Sequence, residues 1–311
     1  MKFERTNSIL HLRSKKELTA FAEEVFRVQG SMARVGVDRS KMRAFVAEVA
    51  EGYLDNPYHN FQHAVDTLYS MAWMLSLPGF AKNLPDFHKY MLLLVALVHD
   101  VGHPGHDNQW EVKTHSPMAQ RYNNLSVIEN HSLTITKELI ARPETGVLPK
   151  VKGITEKEVY DLLDQLILCT DFSWHKVFLD ELAEGLSRNS SNYKDPEFVS
   201  LVCRTLIKAA DISNTAKPFR QAKIWGRRVM NEFWAQGEME KKLNLTVGPM
   251  NDQENTEFNS TQAGFIKYAA CELFVLLSKV ENDAKVMLDE LLLNQQAYER
   301  MAVKNAGSLK K

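Results

Sequence analysis

The stretch "MLLLVALVHDVGHPGHDN", residues 91–108, decides how the rest of the sequence is interpreted. Its first part is an unbroken apolar run, and residues 99–108 then hold three histidines and two aspartates in ten positions. Charged groups at the end of a buried helix are costly unless something pairs with them. A metal ion is the partner that best accounts for histidine and carboxylate together. The stretch therefore predicts a metal site at the end of an apolar helix.

Composition indicates a globular protein with a sizeable core. The chain has 311 residues, of which 44% are hydrophobic and 25% are charged, and its formal net charge is −1. This near-neutral balance, without a basic stripe that carries interleaved aromatics, argues against a nucleic-acid partner. No stretch approaches the roughly 20 apolar residues that cross a bilayer, and the N-terminus lacks the apolar core of a signal peptide. We therefore expect no membrane insertion by this region.

The cysteines favour a reducing compartment. Cys169, Cys203 and Cys271 are far apart and form no CxxC pair, so they indicate neither a disulfide framework nor a zinc ribbon. We expect a cytoplasmic protein, and membrane association through regions outside this chain stays open. The chain starts abruptly at "MKFERTNSIL". It stays open whether the chain is the catalytic part of a longer protein that has regulatory domains outside it.

Helical periodicity covers nearly the whole chain. Two capping boxes mark helix starts: Ser14 with Glu17, and Thr155 with Glu158. Asp195 is a predicted cap with Pro196 in the first turn, and two long helices are predicted around 218–242 and 261–297. Alternating strand patterns are nearly absent, and no repeat or linker marks a boundary. The pattern predicts one compact all-α domain over residues 1–311.

The histidines are concentrated in one part of the chain. Eight of the ten lie within residues 59–131. In "YHNFQH", His59 and His63 are four positions apart, and in "HDVGH" His99 and His103 share that spacing. On a helix, each pair would occupy one face. A single pair of this kind is more often incidental than metal-binding, so the prediction rests on the combination.

Two carboxylates accompany these histidines. Asp100 follows His99 directly, and Asp211 in "KAADISN" ends the apolar run of another helix. Pro104 and Gly105 are predicted to end the first helix and leave the cluster open to a cleft. Two imidazoles with two carboxylates form a mixed nitrogen and oxygen site, which suits hard or borderline divalent metals.

Four motifs, in their order and separations, resemble the catalytic domain of class I cyclic nucleotide phosphodiesterases, within the wider HD metallohydrolase group. The motifs are "YHNFQH" (58–63), "HDVGHPGHDN" (99–108), "ADISN" (210–214) and "TQAGFIKY" (261–268). The resemblance runs from about residue 53 to 285, and the helices before Tyr53 fit that family's N-terminal helical subdomain. It implies an all-α, single compact multi-helix catalytic domain with a di-metal site at the bottom of a deep pocket.

The resemblance also implies roles for individual residues. His63, His99, Asp100 and Asp211 would hold the tighter metal, usually Zn²⁺, and Asp100 would bridge to a second metal, usually Mg²⁺ or else Mn²⁺. His59 would be the general acid. The polar groups around the second metal and its waters would be His103, Asn108, Glu129, Thr170 and Asp171.

A purine pocket is implied beyond the last ligand. Gln262 matches a glutamine that hydrogen-bonds the base edge, while Val229 and Phe265 match an apolar clamp on the base. The other implied members of the pocket are Tyr58, Asn214, Trp225 and Phe233. From spacing alone, the stripe of Trp225, Val229 and Phe233 is more typical of a core face than of a binding pocket. Because a glutamine amide can accept from adenine or donate to guanine, cAMP and cGMP both stay open as substrates.

The implied reaction is hydrolysis of the 3′ phosphoester bond of a cyclic nucleotide to the nucleoside 5′-monophosphate. A metal-bridged hydroxide would attack the phosphorus, and His59 would protonate the leaving oxygen. The expected ligands are the cyclic nucleotide and inhibitors that mimic a purine. The alternative is an HD-type metal-dependent phosphohydrolase that acts on another nucleotide, although such an enzyme has no need of a purine slot.

Overall fold

The computed structural model describes residues 2–188 and 192–308. The fold is 71% helical, and the described residues contain no β-strand. In chain order the α-helices are α1 (Lys15–Gln29), α2 (Ser31–Arg34), α3 (Arg39–Gly52), α4 (Phe61–Leu75), α5 (Pro78–Asn83), α6 (Asp86–Val98), α7 (Asn108–Lys113), α8 (Pro117–Arg121), α9 (Val127–Ala141), α10 (Glu156–Leu168), α11 (His175–Arg188), α12 (Pro196–Asp211), α13 (Phe219–Lys242), α14 (Phe258–Phe265), α15 (Cys271–Val280) and α16 (Lys285–Ser308). Short 3₁₀ turns lie at Phe172–Trp174, Ser213–Ala216 and Asn282–Ala284, and one π-helical turn lies at Ile266–Ala270.

Capping side chains mark the starts of three helices at the positions that the sequence predicts. Both capping boxes are confirmed: the Ser14 and Thr155 side chains each accept a hydrogen bond from the backbone of the glutamate three residues on. Each glutamate carboxylate in turn accepts from the backbone N–H of its cap, which satisfies two exposed donors at once. Asp195 caps α12, with Pro196 in its first turn.

Three central helices form the core and carry the site at their ends. Eleven of the 13 residues of α6 and 14 of the 15 of α4 are buried, as expected for helices that are covered on all sides. These two helices pack on each other, and α12 packs on both. His63 lies at the start of α4, His99 directly follows α6, and Asp211 is the last residue of α12. Within the described ranges, no helix is both long and apolar enough to span a membrane.

The predicted long helices fare differently. The one around 218–242 is confirmed as α13, whereas the one over 261–297 is wrong, because the chain is divided there into α14, α15 and α16. The break lies at Glu281, whose backbone is extended at φ −140° and ψ 108° and whose side chain accepts from Asp283 N. A side chain that hydrogen-bonds nearby backbone competes with helix continuation. Periodicity alone does not report this competition.

Candidate active site

Four side chains from the three central helix ends meet in one cluster. Nε2 of His63 lies 3.1 Å from Oδ1 of Asp211 and 3.4 Å from Oδ2 of Asp100. Nε2 of His99 lies 3.2 Å and 3.1 Å from the same two oxygens. All four potential ligand atoms lie within 4.8 Å of one another. The structure thus brings together the four residues that the sequence nominated as metal ligands.

The backbone explains how the two histidines reach this point. Asn60 caps α4, and its side chain accepts from the backbone N–H groups of Gln62 and His63 at 2.9 and 3.1 Å. This cap places His63 in the first turn. Nδ1 of His99 lies 3.2 Å from the carbonyl oxygen of Ala96, so that Nε2 is left to face the carboxylates. A hydrogen bond to one ring nitrogen of a histidine commonly orients the other ring nitrogen toward a metal.

The predicted helical pairing of the histidines is wrong. His59 precedes α4, and α6 ends at Val98 rather than at Pro104, because the chain enters a turn in which Gly102 has φ +80°. A positive φ is readily adopted only by glycine. His59 and His103 lie outside the ligand cluster, and their rings stack on each other with centroids 3.8 Å apart and planes 15° apart.

The donor set fits a divalent cation. His63 and His99 are each 1% exposed, and their nitrogens face carboxylate oxygens rather than solvent. Burial on its own would raise the pKa of Asp100 and Asp211, but the neighbouring imidazoles hold the pKa of both carboxyls well below the usual range. Two charged carboxylates and two imidazoles match the ligands of zinc and related metals.

A buried carboxylate that sequence reasoning missed accompanies His59. Glu232 of α13 is 2% exposed; its Oε1 pairs with Nδ1 of His59, and its Oε2 accepts from the backbone N–H groups of Tyr58 and His59 at 2.8 and 3.0 Å. Burial on its own would lower the pKa of His59, but the charge of Glu232 and its hydrogen bond outweigh burial and raise that pKa to about 9. His59 is therefore protonated at neutral pH. The sequence did contain a signal for this residue, because Glu232 lies three residues after Val229 on the helical stripe of Trp225, Val229 and Phe233.

His103 remains neutral beside this cation. Burial, followed by the positive charge of His59, lowers the pKa of His103 to about 3. Its Nδ1 accepts from Gly105 N at 3.1 Å. Asn56 holds both stacked rings from the backbone side, because its Nδ2 donates to the carbonyl oxygens of His103 and His59 at 2.7 and 2.9 Å. The pair is thus a fixed cation and a fixed neutral ring.

The remaining polar residues form a second layer around the cluster. Asn108 donates from Nδ2 to Glu129 Oε2 at 2.9 Å, and burial, followed by the charge of Asp171, raises the pKa of Glu129 to about 7. Thr170 follows α10 and borders the cavity, although its hydroxyl donates to the carbonyl oxygen of Ile167 in the last turn of that helix. Asp171 does not line this cavity, and its carboxylate accepts from the Ser126 hydroxyl at 2.7 Å.

One cavity of about 340 Å³ joins the cluster to an apolar pocket. His59, Asp100 and Asp211 border one part of it. The predicted pocket residues that line it are Tyr58, Asn214, Val229, Phe233, Gln262 and Phe265. Sequence reasoning missed further members, namely Phe172, Ile212, Thr215, Gly226, Met230, Met250, Asn251 and Thr261.

Trp225 is the exception among the predicted pocket residues. It is 1% exposed and does not border the cavity, but packs behind the wall, edge-on to Tyr58 with ring centroids 5.9 Å apart. The stripe is therefore divided: Trp225 belongs to the core, and Val229 and Phe233 belong to the pocket. Phe172 closes against Phe265 on another side of the cavity, with centroids 5.8 Å apart.

In this helical domain, the ends of three central helices bring two histidines and two aspartates together, which is an arrangement able to hold a divalent cation. More specifically, the family model for 3'5'-cyclic nucleotide phosphodiesterase matches residues 58–291, and the chain belongs to this family. This match confirms the predicted family and the all-α fold.

Curated relatives agree over nearly the whole chain. The high affinity cGMP-specific 3',5'-cyclic phosphodiesterase 9A of Pan troglodytes is 28% identical over 289 residues, which cover 92% of this chain and 48% of the relative. The probable 3',5'-cyclic-AMP phosphodiesterase pde-4 of Caenorhabditis elegans is 29% identical over 295 residues, which cover 93% and 44%. The chain thus spans about half the length of these relatives, or somewhat less.

Solved structures share the fold. The phosphodiesterase domain of the RhoPDE fusion protein from the choanoflagellate Salpingoeca rosetta superposes with a TM-score of 0.89 at 27% identity, covering 98% of this chain and 96% of that one. The structure of LmjPDEB1 in complex with IBMX gives a TM-score of 0.89 at 27% identity, covering 97% and 93%.

Proposed function

We propose that this chain is a catalytic domain that hydrolyses the 3′ phosphoester bond of a 3′,5′-cyclic nucleotide and releases the nucleoside 5′-monophosphate. One observation carries the proposal: His59, paired with the buried Glu232, borders the same cavity as two members of the ligand cluster, Asp100 and Asp211, and as Gln262 of the base pocket. The names of the relatives, which include a cGMP-specific and a probable cAMP phosphodiesterase, support this class of substrate.

We propose that two divalent ions occupy this site. His63, His99, Asp100 and Asp211 would hold the tighter ion, Zn²⁺, and Asp100 would also be a ligand of the second ion, Mg²⁺ or Mn²⁺. Bound metals of this kind activate water as a nucleophile and neutralise the charge of a phosphate. The buried carboxylates lower the cost of placing these cations below the protein surface.

His59 then supplies the proton that the leaving 3′ oxygen requires. Because Nδ1 is held by Glu232, Nε2 is the nitrogen that is free to donate. The carboxylate keeps the ring charged before the transfer. After it, the neutral ring keeps its proton on Nδ1 and donates it in a hydrogen bond to Glu232. Positioned acids of this kind commonly contribute roughly 10²–10⁴-fold to a rate. His103 and the pair of Asn108 with Glu129 would hold waters of the second metal, and Thr170 and Asp171 would complete the polar surround.

The opposite part of the cavity suits a purine. Val229 and Phe265 present apolar surface to the faces of a flat ring, and Phe172 extends the aromatic wall. Gln262 offers an amide to the base edge and can pair with adenine or guanine, so we propose both cAMP and cGMP as substrates. The binding of IBMX, a purine-like inhibitor, by LmjPDEB1 supports the same ligand chemistry here.

Asn214 donates from Nδ2 to the Tyr58 hydroxyl at 2.7 Å, which fixes a polar wall beside the apolar one. An HD-type phosphohydrolase for another nucleotide would need no pocket of this form, and no contact in the site favours one.

The three free cysteines support a reducing, cytoplasmic setting for the domain.

Side-by-side kinetics test the proposal. The metal-replete protein is assayed with cAMP and with cGMP, and the nucleoside monophosphate is identified by chromatography. We expect turnover of at least one of them to the 5′-monophosphate. Failure to hydrolyse either cyclic nucleotide, together with turnover of a linear nucleotide, would favour the alternative phosphohydrolase.

A further inference from the structure

Two buried polar side chains on α13 take no part in the proposed hydrolysis. Gln236 and Glu240 are each 1% exposed and lie one helical turn apart. Nε2 of Gln236 donates to Oε1 of Glu240 at 2.9 Å. A buried carboxylate is costly unless hydrogen bonds compensate it, so the partners of this pair indicate its role.

The pair joins two loops that border the cavity from different sides. Oε1 of Gln236 accepts from the backbone N–H of Asp107 at 2.9 Å, on the loop that follows the metal ligands. Oε2 of Glu240 accepts from Gly248 N at 2.9 Å and from Asn251 Nδ2 at 3.2 Å, on the loop between α13 and α14. Asp107 and Asn251 both line the cavity.

Each loop leads to a different part of the site. Asp107 directly precedes Asn108, which donates to Glu129 at 2.9 Å near the ligand cluster. Asn251 directly follows Met250, and both line the cavity. We call residues 248–251 the rim of the base pocket. A continuous set of hydrogen bonds therefore runs from the metal side of the cavity through α13 to the rim.

The rim also lies directly against the helix at Gly237. A Cβ atom at that position would collide with the carbonyl oxygen of Asn251 and lie 3.1 Å from its Cβ. Only glycine permits so close an approach of backbone to helix. The two side chains and the glycine thus hold the same loop by independent means.

We propose that Gln236 and Glu240 are positioning residues that fix the 248–251 rim against the loop at Asp107 and so set the affinity for the cyclic nucleotide. This inference rests on the proposed function, because it takes the cavity to be the purine pocket. Burial on its own would raise the pKa of Glu240, but the hydrogen bonds from Gln236, Gly248 and Asn251 hold that pKa below the usual range. The carboxylate is therefore charged and accepts only.

The order of donors and acceptors makes the set specific. A backbone N–H donates at each end, so the two side chains between them must supply one amide donor and three acceptor positions. With Glu240→Gln, the new amide group must face either Gly248 N or the amide of Gln236, and both are donors. With Gln236→Glu, two carboxylates meet in a buried site and repel each other. Exchanging the two residues restores one amide and one carboxylate in complementary order.

The test is therefore a swap on the metal-replete protein. Glu240→Gln, Gln236→Glu and the double variant Gln236→Glu/Glu240→Gln are compared for KM and kcat with cAMP and cGMP, and for bound metal. Hydrolysis of bis(p-nitrophenyl) phosphate, which carries no purine, is measured in parallel. Glu238→Gln is the matched control, because this side chain lies on the same helix and is 56% exposed.

We expect each single variant to raise KM for the cyclic nucleotide about tenfold, in the range of one buried hydrogen bond to a charged group. We expect kcat, bound metal and the reaction without a purine to stay near wild type, and the double variant to recover most of the lost affinity. A wild-type KM in both single variants would overturn the inference. So would a double variant no better than the worse single variant.

If the single variants do not fold, Gly237→Ala keeps the proposal testable, since it moves the rim and leaves both polar side chains in place. We expect it to raise KM with little change in kcat, and an unchanged KM would contradict the inference. Failure of the wild-type protein to hydrolyse either cyclic nucleotide would instead contradict the proposed function.

Discussion

The pairing of Glu232 with His59 makes the substitution Glu232→Gln the most informative single change. The substitution keeps the shape of the side chain and an oxygen for the backbone N–H groups of Tyr58 and His59. It removes the charge that raises the pKa of His59 to about 9, and it leaves in place the burial that lowers this pKa. The ring should therefore lose its proton at a much lower pH.

The size of the effect follows from the two pKa values. A general acid must be protonated, so activity is present below its pKa and is lost as the pH rises through it. With a pKa of about 9, nearly all of His59 is charged at neutral pH. If the pKa falls to the ordinary value of about 6.5, roughly one tenth is charged at about pH 7.5, and kcat should fall about tenfold there.

The assay is a pH profile of kcat for wild type and Glu232→Gln with metal content measured at each pH. We expect the alkaline limb to move from about pH 9 to about pH 6.5 or below, so that the defect shrinks at lower pH. Glu238→Gln, on the exposed face of α13, should leave the profile unchanged. A loss of activity equal at every pH, with the alkaline limb unmoved, would refute the assignment of Glu232 as the group that keeps His59 protonated.

Three further results are expected. His99→Ala or Asp211→Asn should abolish turnover and lower the metal content measured by elemental analysis, and a variant that keeps metal and activity would exclude that residue as a ligand. His59→Ala should keep its metals but lose roughly 10²–10⁴-fold in kcat, with a smaller loss for an analogue whose leaving group is more acidic. His63→Ala should instead lose metal, and its activity should not recover with that analogue. The reverse pattern would exchange the two roles. Gln262→Ala should raise KM for cyclic nucleotides by about fivefold or more through one lost hydrogen bond, with normal metal content, and unchanged KM values for cAMP and cGMP would remove Gln262 from the base pocket.

Helix starts could be predicted from the sequence because their causes are local. The capping box of Ser14 with Glu17 involves side chains three residues apart, and the structure reproduces it. The end of α6 could not be placed in this way. Periodicity and Pro104 favour a longer helix, whereas the helix ends at Val98 and the chain then turns through the positive φ of Gly102.

Contacts between distant residues set the limit of sequence reasoning at the site. His63 and Asp211 are 148 positions apart. The motifs indicated that both belong to one metal site, but only the family resemblance assigned His63 rather than His59 as the ligand. Glu232 was missed because a glutamate in a partly polar helix is normally expected to face solvent. Its partner, His59, is 173 positions away, and only the packing of α13 against the start of α4 shows the pairing.

The central claim is cleavage of the 3′ phosphoester bond of a cyclic nucleotide at this metal cluster. The most direct measurement is product analysis in water enriched with heavy oxygen, before and after metal removal by a chelator. We expect a nucleoside 5′-monophosphate with one heavy oxygen on its phosphate, no product after chelation, and recovery when divalent metal is restored. A 3′-monophosphate product, or turnover that survives complete removal of metal, would contradict the account.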